Sequence, residues 1–597
     1  MSATRPFSKY AYWFCCAFIL TSAFLHPKWQ VGKAEGTLTW DVAGYYFYLP
    51  AFLIFEDAKE LKFKDDIFEK YHPSGSFYQA YKDEKSGNMI MKYPIGLCLM
   101  YLPFFLIGHL IALIGGWPAD GFSLPYQAAI SFGSMLVAFI GLWFLRKSLL
   151  HFFDEKAAAV VLIAVALGTN YYNYSAFDYA MPHNYLFTLC AILIYFSIRF
   201  YENTDYKKAA IIGVCVGLAA LTRPTDIVFA IFPVLFAFTP VVEKLEFIRK
   251  HFFKIALAAV IVFAIGSIQL IYWKWVSGDW LVYSYQDQGF NWKGPHFNAV
   301  WFSYRKGWFV YTPMMIFAIA GMFFLFQKKY RSLFWPVLAL FFVHMWIVAA
   351  WNIWWYGGGF GQRAMIDIYP ALALPIAAFA AGIWRFGFLK ILLLPVALFF
   401  IALNIFQSRQ PGFETEAMTR AYYWRIFGNT DIKPRDRYLL DTDEDFTGER
   451  KNVKTVFETD FENWADSTVL RSDFVHSGRY ATFVSPEKEF SATIENPGDL
   501  FFEKGRWLRA RAWFFTPEKE WQAWWMPQLT IVFENNGEIL KIRQIRPHRE
   551  LADGQWKEIY FDTRVPAEPF HKVKIYLWNA GGTKQLVMDD LKVEIFD

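Results

Sequence analysis

Long apolar runs leave this chain few folds to adopt. Ile255–Ile271, Met314–Phe326, Phe334–Val343 and Ile391–Ile405 carry no charged residue, and most extend further through neutral neighbours. A helix needs about 20 mostly apolar residues to span hydrocarbon, where only a backbone that satisfies its own hydrogen bonds persists. Of the 597 residues 55% are hydrophobic, and their clustering turns that figure into a constraint. The reading is a polytopic α-helical membrane protein.

Charge placement gives the threading. Spans are expected near 10–27, 126–145, 157–173, 182–199, 209–222, 226–242, 255–275, 309–327, 332–350, 370–384 and 389–406. Starting from a cytoplasmic N-terminus, Arg5/Lys9, Arg146/Lys147, Arg199/Lys207/Lys208, Lys244/Arg249/Lys250/Lys254, Lys328/Lys329/Arg331 and Arg385/Lys390 fall on one side. Lys and Arg mark the cytoplasmic side, so about eleven spans are expected and the C-terminus lies outside. The apolar run Pro94–Ile114 is not counted: if it crossed, every later basic cluster would turn outward. It is read as an interfacial or re-entrant helix, a tilted hairpin being the alternative. The first span is read as retained, since no small-residue cleavage site follows it. Cys15, Cys16, Cys98, Cys190 and Cys215 all sit in apolar runs, without metal-knuckle spacing, and read as buried small hydrophobes.

Past Phe406 the composition changes. Residues 407–450 are polar, with an acidic stretch from Asp441, and read as a linker or docking segment. From about residue 451 the pattern has period two. Gln528–Phe533 and Ile539–Ile545 flank Asn535-Asn536-Gly537, a hairpin signal, and Trp556–Asp562, Val573–Trp578 and Leu586–Phe596 continue as strands. The expected fold is therefore an α-helical membrane region over 1–406, a first outer loop over 28–125, and a C-terminal extracytoplasmic β-sandwich over 451–597.

Polar residues at span ends are costly at membrane depth and mark candidate sites. Asp41, among aromatics in Trp40–Tyr46, reads either as a general base made more basic by desolvation or as the N-cap of a short helix. Lys92 and Tyr93 open the uncounted run, where Lys92 reads also as an interfacial anchor. Asp178 and His183 lie in the aromatic outer turn Gly168–His183, and interfacial tyrosine belts are ordinary. Arg223 and Asp226, around Pro224, invite a local ion pair, while Arg223 also suits a phosphate. Gln362 and Arg363 end the glycine-rich run Trp354–Arg363, followed by Asp367; it has no Walker ending.

This set resembles the GT-C superfamily of integral-membrane glycosyltransferases, in the branch holding protein O-mannosyltransferases and lipid A aminoarabinose transferases. Met181–His183, Leu221–Pro224 and Phe360–Arg363 resemble segments of bacterial members, and the likeness covers roughly 10–406. The resemblance implies an inverting transferase in a bacterial inner membrane, with a polyprenyl-phosphate sugar as donor and a glycan, lipid or protein as acceptor. It implies Asp41 as catalytic base. Lys92, Tyr93, Asp178, His183, Arg223, Asp226, Gln362 and Arg363 become substrate-binding residues, with Arg223 and Arg363 on the phosphate. Many members show an Asp-Glu or Asp-x-Asp pair where this chain has Asp41-Val42-Ala43, so a divalent metal stays an open question there, and no cofactor or metal ligand is assigned. Phe461–Trp464, His476–Tyr480 and Met588–Leu591 resemble jelly-roll carbohydrate-binding modules. Trp521, Trp524 and Trp525 read as packing or as a sugar platform. Membrane lipids are partners and nucleic acid is not. A transporter or flippase of lipid-linked glycans, and a non-catalytic glycan-binding envelope protein, are the competing readings.

Overall fold

The computed structural model describes residues 5–30, 35–237, 241–383, 387–495, 505–517 and 525–597; Arg385, Trp521 and Trp524 lie outside the described residues. The chain forms two compact units, Met1–Arg409 and Gln410–Asp597.

The first unit is helical. Its principal helices are α1 (Phe7–Leu25), α2 (Trp40–Tyr46), α3 (Gly96–Gly115), α4 (Leu124–Phe152), α5 (Glu155–Gly168), α6 (Pro182–Glu202), α7 (Tyr206–Thr222), α8 (Phe252–Ser277), α9 (Arg331–Ala350), α10 (Tyr369–Ile383) and α11 (Gly387–Arg409). A small hairpin, β1 (Ala80–Lys82) with β2 (Met89–Met91), precedes α3. Helix starts follow local chemistry. The Asp154 carboxylate accepts from Ala157 N at the head of α5, and Asp205 accepts from Lys208 N at the head of α7, each satisfying a donor the helix leaves open. Gly213 and Gly217 let α7 and α8 approach closely: a Cβ at Gly213 would stand 2.6 Å from the Ala258 carbonyl oxygen. Small residues four apart are how helices pack where apolar burial gives no advantage over lipid.

Among the described residues, seven helices are long and apolar enough to cross a membrane: α3, α4, α6, α8, Lys328–Ala350, Arg363–Ile383 and α11. This differs from the sequence reading in both directions, because it includes α3 and leaves out α1, α5, α7 and the shorter segments Pro224–Leu235 and Pro313–Phe326. The contacts of α3 set it apart from the others. Gly96 abuts the backbone of Leu221–Thr222 at the end of α7, and Tyr101 donates to the Ala180 carbonyl and meets Tyr185 edge-on at the start of α6. Further along, Phe104 rests on Gly133, and Gly108 rests on Pro125–Tyr126 at the start of α4. These contacts fall at the end of α7, at the start of α6 and over the first ten residues of α4. Its other face exposes Leu106, Ile107, Leu110, Ile111, Leu113 and Ile114.

The second unit holds β3 (Lys454–Thr459), β4 (Leu470–Arg471), β5 (Ala481–Val484), β6 (Ile494–Glu495), β7 (Trp507–Phe515), β8 (Gln528–Asn535), β9 (Glu538–Ile545), β10 (Lys557–Arg564), β11 (Lys572–Trp578) and β12 (Leu586–Phe596). One antiparallel sheet runs β10-β7-β12-β5-β4 with β3 also on β12, and the other runs β6-β11-β8-β9. Alternate residues are buried, as a half-buried strand requires: Leu508, Ala510, Ala512 and Phe514 on β7, and Val573, Ile575 and Leu577 on β11. Asn536 (φ 50°) and Gly537 (φ 84°) make the β8–β9 turn with the two positive φ values a tight hairpin needs. The polar stretch before β3 is packed onto these sheets. The buried Asp441 receives Arg546 Nη1 at 2.7 Å and Arg549 Nε at 2.8 Å, and Arg435 stacks on Tyr438 and Tyr560 while pairing with Glu550 at 3.0 Å. Trp525 is partly exposed.

Candidate active site

Asp41 lies in the first turn of α2, whose N-cap is Thr39, so the cap reading does not hold. The turn is forced. Trp40 takes φ 50°, a left-handed value for a bulky residue, and its N–H bonds the Pro73 carbonyl at 2.9 Å. The carboxylate is thereby free for tertiary partners: Tyr93 Oη donates to Oδ1 at 2.7 Å and Arg363 Nη2 donates to Oδ2 at 2.6 Å. Tyr78 Oη stands 3.4 Å from Oδ1. The side chains of Asp41 and Arg363 are 23% and 14% exposed.

The expectation of a desolvated, more basic Asp41 is corrected. Burial works to raise its pKa, but the Arg363 charge, the Tyr93 hydroxyl and the nearby Lys92 outweigh it and hold the carboxyl below its ordinary value. Lys92 is itself lowered, by burial first, with Asp41 and Asp287 opposing. Its ammonium sits over the rings of Tyr78, Tyr285 and Tyr93 at 5.6, 5.7 and 5.9 Å. Tyr93 and Tyr45 are pushed well above the usual phenol range by burial, and the Tyr45 ring packs on Tyr93 at 4.7 Å.

The glycine-rich loop aims Arg363. Tyr356, Gly357, Gly359 and Gly361 all have positive φ, and a Cβ at Gly359 would stand 2.6 Å from Tyr174 Oη. Lys306 donates to the Gly359 carbonyl and the Gln362 amide to the Trp354 carbonyl, the latter at 2.9 Å. Gln362 is fully buried, so its side chain ties the loop from within.

Pro224 aims the other arginine. The residue before proline is driven out of the helical region, and Arg223 takes φ −141°, ψ 113°, ending α7 and turning its side chain out of the helix. Arg223 Nη1 donates to Asp367 Oδ2 at 2.7 Å, while its Nε is 4.0 Å from Asp226 Oδ2. The local pair expected from spacing is thus the weaker of the two. The guanidinium also lies 5.2 Å from the Tyr356 ring centre. His183 Nδ1 meets Asp367 Oδ1 at 2.8 Å. The charges of Arg223 and Arg363 both bear on Tyr45 and Tyr285, so the two groups border one region. Asp178 is paired with Lys28 at 2.5 Å and with Asn173 at 2.8 Å, and the Arg363 charge reaches it as well.

Sequence reasoning noted Asp367 without giving it a partner and passed over His344, Tyr78 and Tyr285. His344 carried a usable signal, an ionisable group inside an apolar run.

Residues 123–272 match the family model for dolichyl-phosphate-mannose-protein mannosyltransferase. The matched stretch contains Asp178, His183, Arg223 and Asp226, whereas Asp41 and Arg363 lie outside it. No curated protein matches the chain. Among solved structures, the chain is similar to arabinosyltransferase EmbB from Mycobacterium smegmatis at 12% identity and a TM-score of 0.31, covering 85% of this chain. The chain spans 61% of the length of that structure. The mostly helical unit with its apolar spans and the mannosyltransferase match are together consistent with the GT-C superfamily of glycosyltransferases.

Proposed function

We propose that the protein is an inverting glycosyltransferase that moves a sugar from a polyprenyl-phosphate donor to an acceptor hydroxyl on the outer face of a bacterial inner membrane. The observation that carries this reading is the Asp41 carboxylate held between Tyr93 and Arg363, with Lys92 and Arg223 close by. In this reading eleven spans place the N-terminus in the cytoplasm and the sheet unit in the periplasm. The helix α3 then lies at the outer interface with its exposed leucines and isoleucines in the lipid.

The acceptor oxygen attacks the anomeric carbon, the bond to the donor phosphate breaks, and the acceptor proton passes to Asp41. Phosphate leaves as a stable anion, so the arginines supply charge stabilisation in place of an acid. The Arg363 pair gives the sequence an order. With Arg363 bound, Asp41 is ionised but a weak base. A donor phosphate that draws Arg363 away from Asp41 removes that restraint, so basicity rises as the donor arrives.

The test is transfer of labelled sugar from membrane lipid by wild-type protein and Asp41→Asn at matched expression. Loss of transfer with intact protein supports the base role. Full transfer by the Asn variant overturns it. If Arg223→Lys and Arg363→Lys both keep full activity, the phosphate clamp is wrong.

A further inference from the structure

Around Arg223 lies a second cluster of ionisable groups that the proposed transfer does not use. Asp226, His344 and Asp367 come from the segment after α7, from α9 and from the turn before α10, and all three are buried. One donor atom of each lies within 4.8 Å of the others. The hydrogen bonds around them are unusually informative. His344 Nε2 meets the Ala364 carbonyl at 2.9 Å, and a carbonyl only accepts, so Nε2 carries the proton. In the neutral ring that leaves Nδ1 as a lone pair, and it faces Asp226 Oδ1 at 3.7 Å. Asp226 is fully buried, and neither of its carboxylate oxygens has a hydrogen-bond partner. Two acceptors pointed at each other in a dry interior need something positive between them.

We propose that Asp226, His344 and Asp367 bind a divalent cation, with zinc as the best fit. Two ligands at about 2.1 Å from one ion accommodate the 3.7 Å Asp226–His344 separation, and drawing in Asp367 takes a shift of about an ångström. One imidazole and two carboxylates form a mixed N/O set that suits a small d-block ion better than calcium, which takes six or more oxygens. The surroundings have the form of an outer ligand layer. His344 anchors its far nitrogen on a carbonyl, and Asp367 keeps Arg223 on one oxygen and His183 on the other.

The competing occupant is a proton shared by Asp226 and His344, and charge decides between the two. Arg223 balances one of the two carboxylates, so a proton on the other makes the cluster neutral, and an anion arriving at Arg223 would leave net negative charge in a dry site. A divalent ion makes the cluster singly positive, which a singly charged phosphodiester would neutralise. This last step rests on the proposed donor, whereas the ligand geometry does not.

The test is metal content of the full-length protein in detergent by mass spectrometry, followed by titration of chelator-stripped protein with zinc or manganese and a parallel thermal melt. Expected is about one equivalent per chain in the wild type, either retained or restored by titration, with binding at least tenfold weaker in Asp226→Asn and in His344→Ala. A wild type that carries no stoichiometric metal and takes up none overturns the proposal, leaving the proton. Metal that persists in both variants also overturns it, because the ion then sits elsewhere. Should a variant fail to fold, cobalt-loaded His344→Cys should gain a thiolate-to-metal charge-transfer band if the assignment is right and show none if the ion sits elsewhere. None of these readouts depends on transferase activity, so a failed transfer assay leaves this result standing.

Discussion

The Asp41–Arg363 contact makes a measurable claim about coupling. Exposed ion pairs contribute about 0–1 kcal/mol, and removing one partner of a buried pair costs about 3–5 kcal/mol. With partners 23% and 14% exposed and a 2.6 Å bond, this pair falls between those limits, at about 2 kcal/mol. Asp41→Asn keeps an oxygen that accepts from Arg363 but removes the charge, while Arg363→Ala leaves the carboxylate with the Tyr93 and Tyr78 hydroxyls and the Lys92 charge. In a double-mutant cycle the two losses overlap, so Asp41→Asn/Arg363→Ala should be scarcely less stable than Arg363→Ala. The assay is thermal unfolding of purified full-length variants in one detergent, repeated across pH. Because the folded Asp41 carboxyl lies below its ordinary value, its contribution is complete above about pH 4 and is lost as pH falls through the depressed value. In Arg363→Ala the folded value moves back up, so that acid loss should be smaller. Additive losses, or identical acid limbs with and without Arg363, would refute the coupling, and with it the idea that donor capture of Arg363 raises the basicity of Asp41.

The other expectations are more local. Asp41→Asn should lower transfer by about 10²–10⁴-fold, the range for loss of a general base, measured on membranes with labelled donor. Tyr93→Phe removes a hydrogen bond to a charged oxygen and should cost about 1.5–3 kcal/mol of stability, read from the same melts. Gly359→Ala places a methyl against Tyr174 at φ 111°, at a cost of about 1–3 kcal/mol, and should reduce transfer while Asp41 is untouched. In the sheet unit, Asp441→Ala leaves Arg546 and Arg549 without their shared carboxylate. It should speed protease cleavage of that unit in the intact chain, with a penalty of about 3–5 kcal/mol; an unchanged cleavage rate would mean the pair is solvated.

Apolar run length determined by itself that this chain makes membrane helices, since hydrocarbon permits so little else. Period-two alternation and Asn536-Gly537 likewise determined strands and a hairpin, because these are local properties of a half-buried backbone. Pro224 even announced the break that frees Arg223. What the sequence left open is whatever depends on partners distant along the chain. Run length cannot distinguish a helix that crosses from one that lies across its neighbours, and the contacts of Gly96, Tyr101 and Gly108 with α7, the turn before α6 and α4 are visible only in the fold. Spacing suggested that Arg223 pairs with Asp226, yet packing gave it Asp367, 144 residues away. Desolvation alone suggested a basic Asp41, yet Arg363, 322 residues away, reverses the sign. Electrostatics at a buried site is set by which charges the fold brings within a few ångströms, and only the tertiary structure decides that.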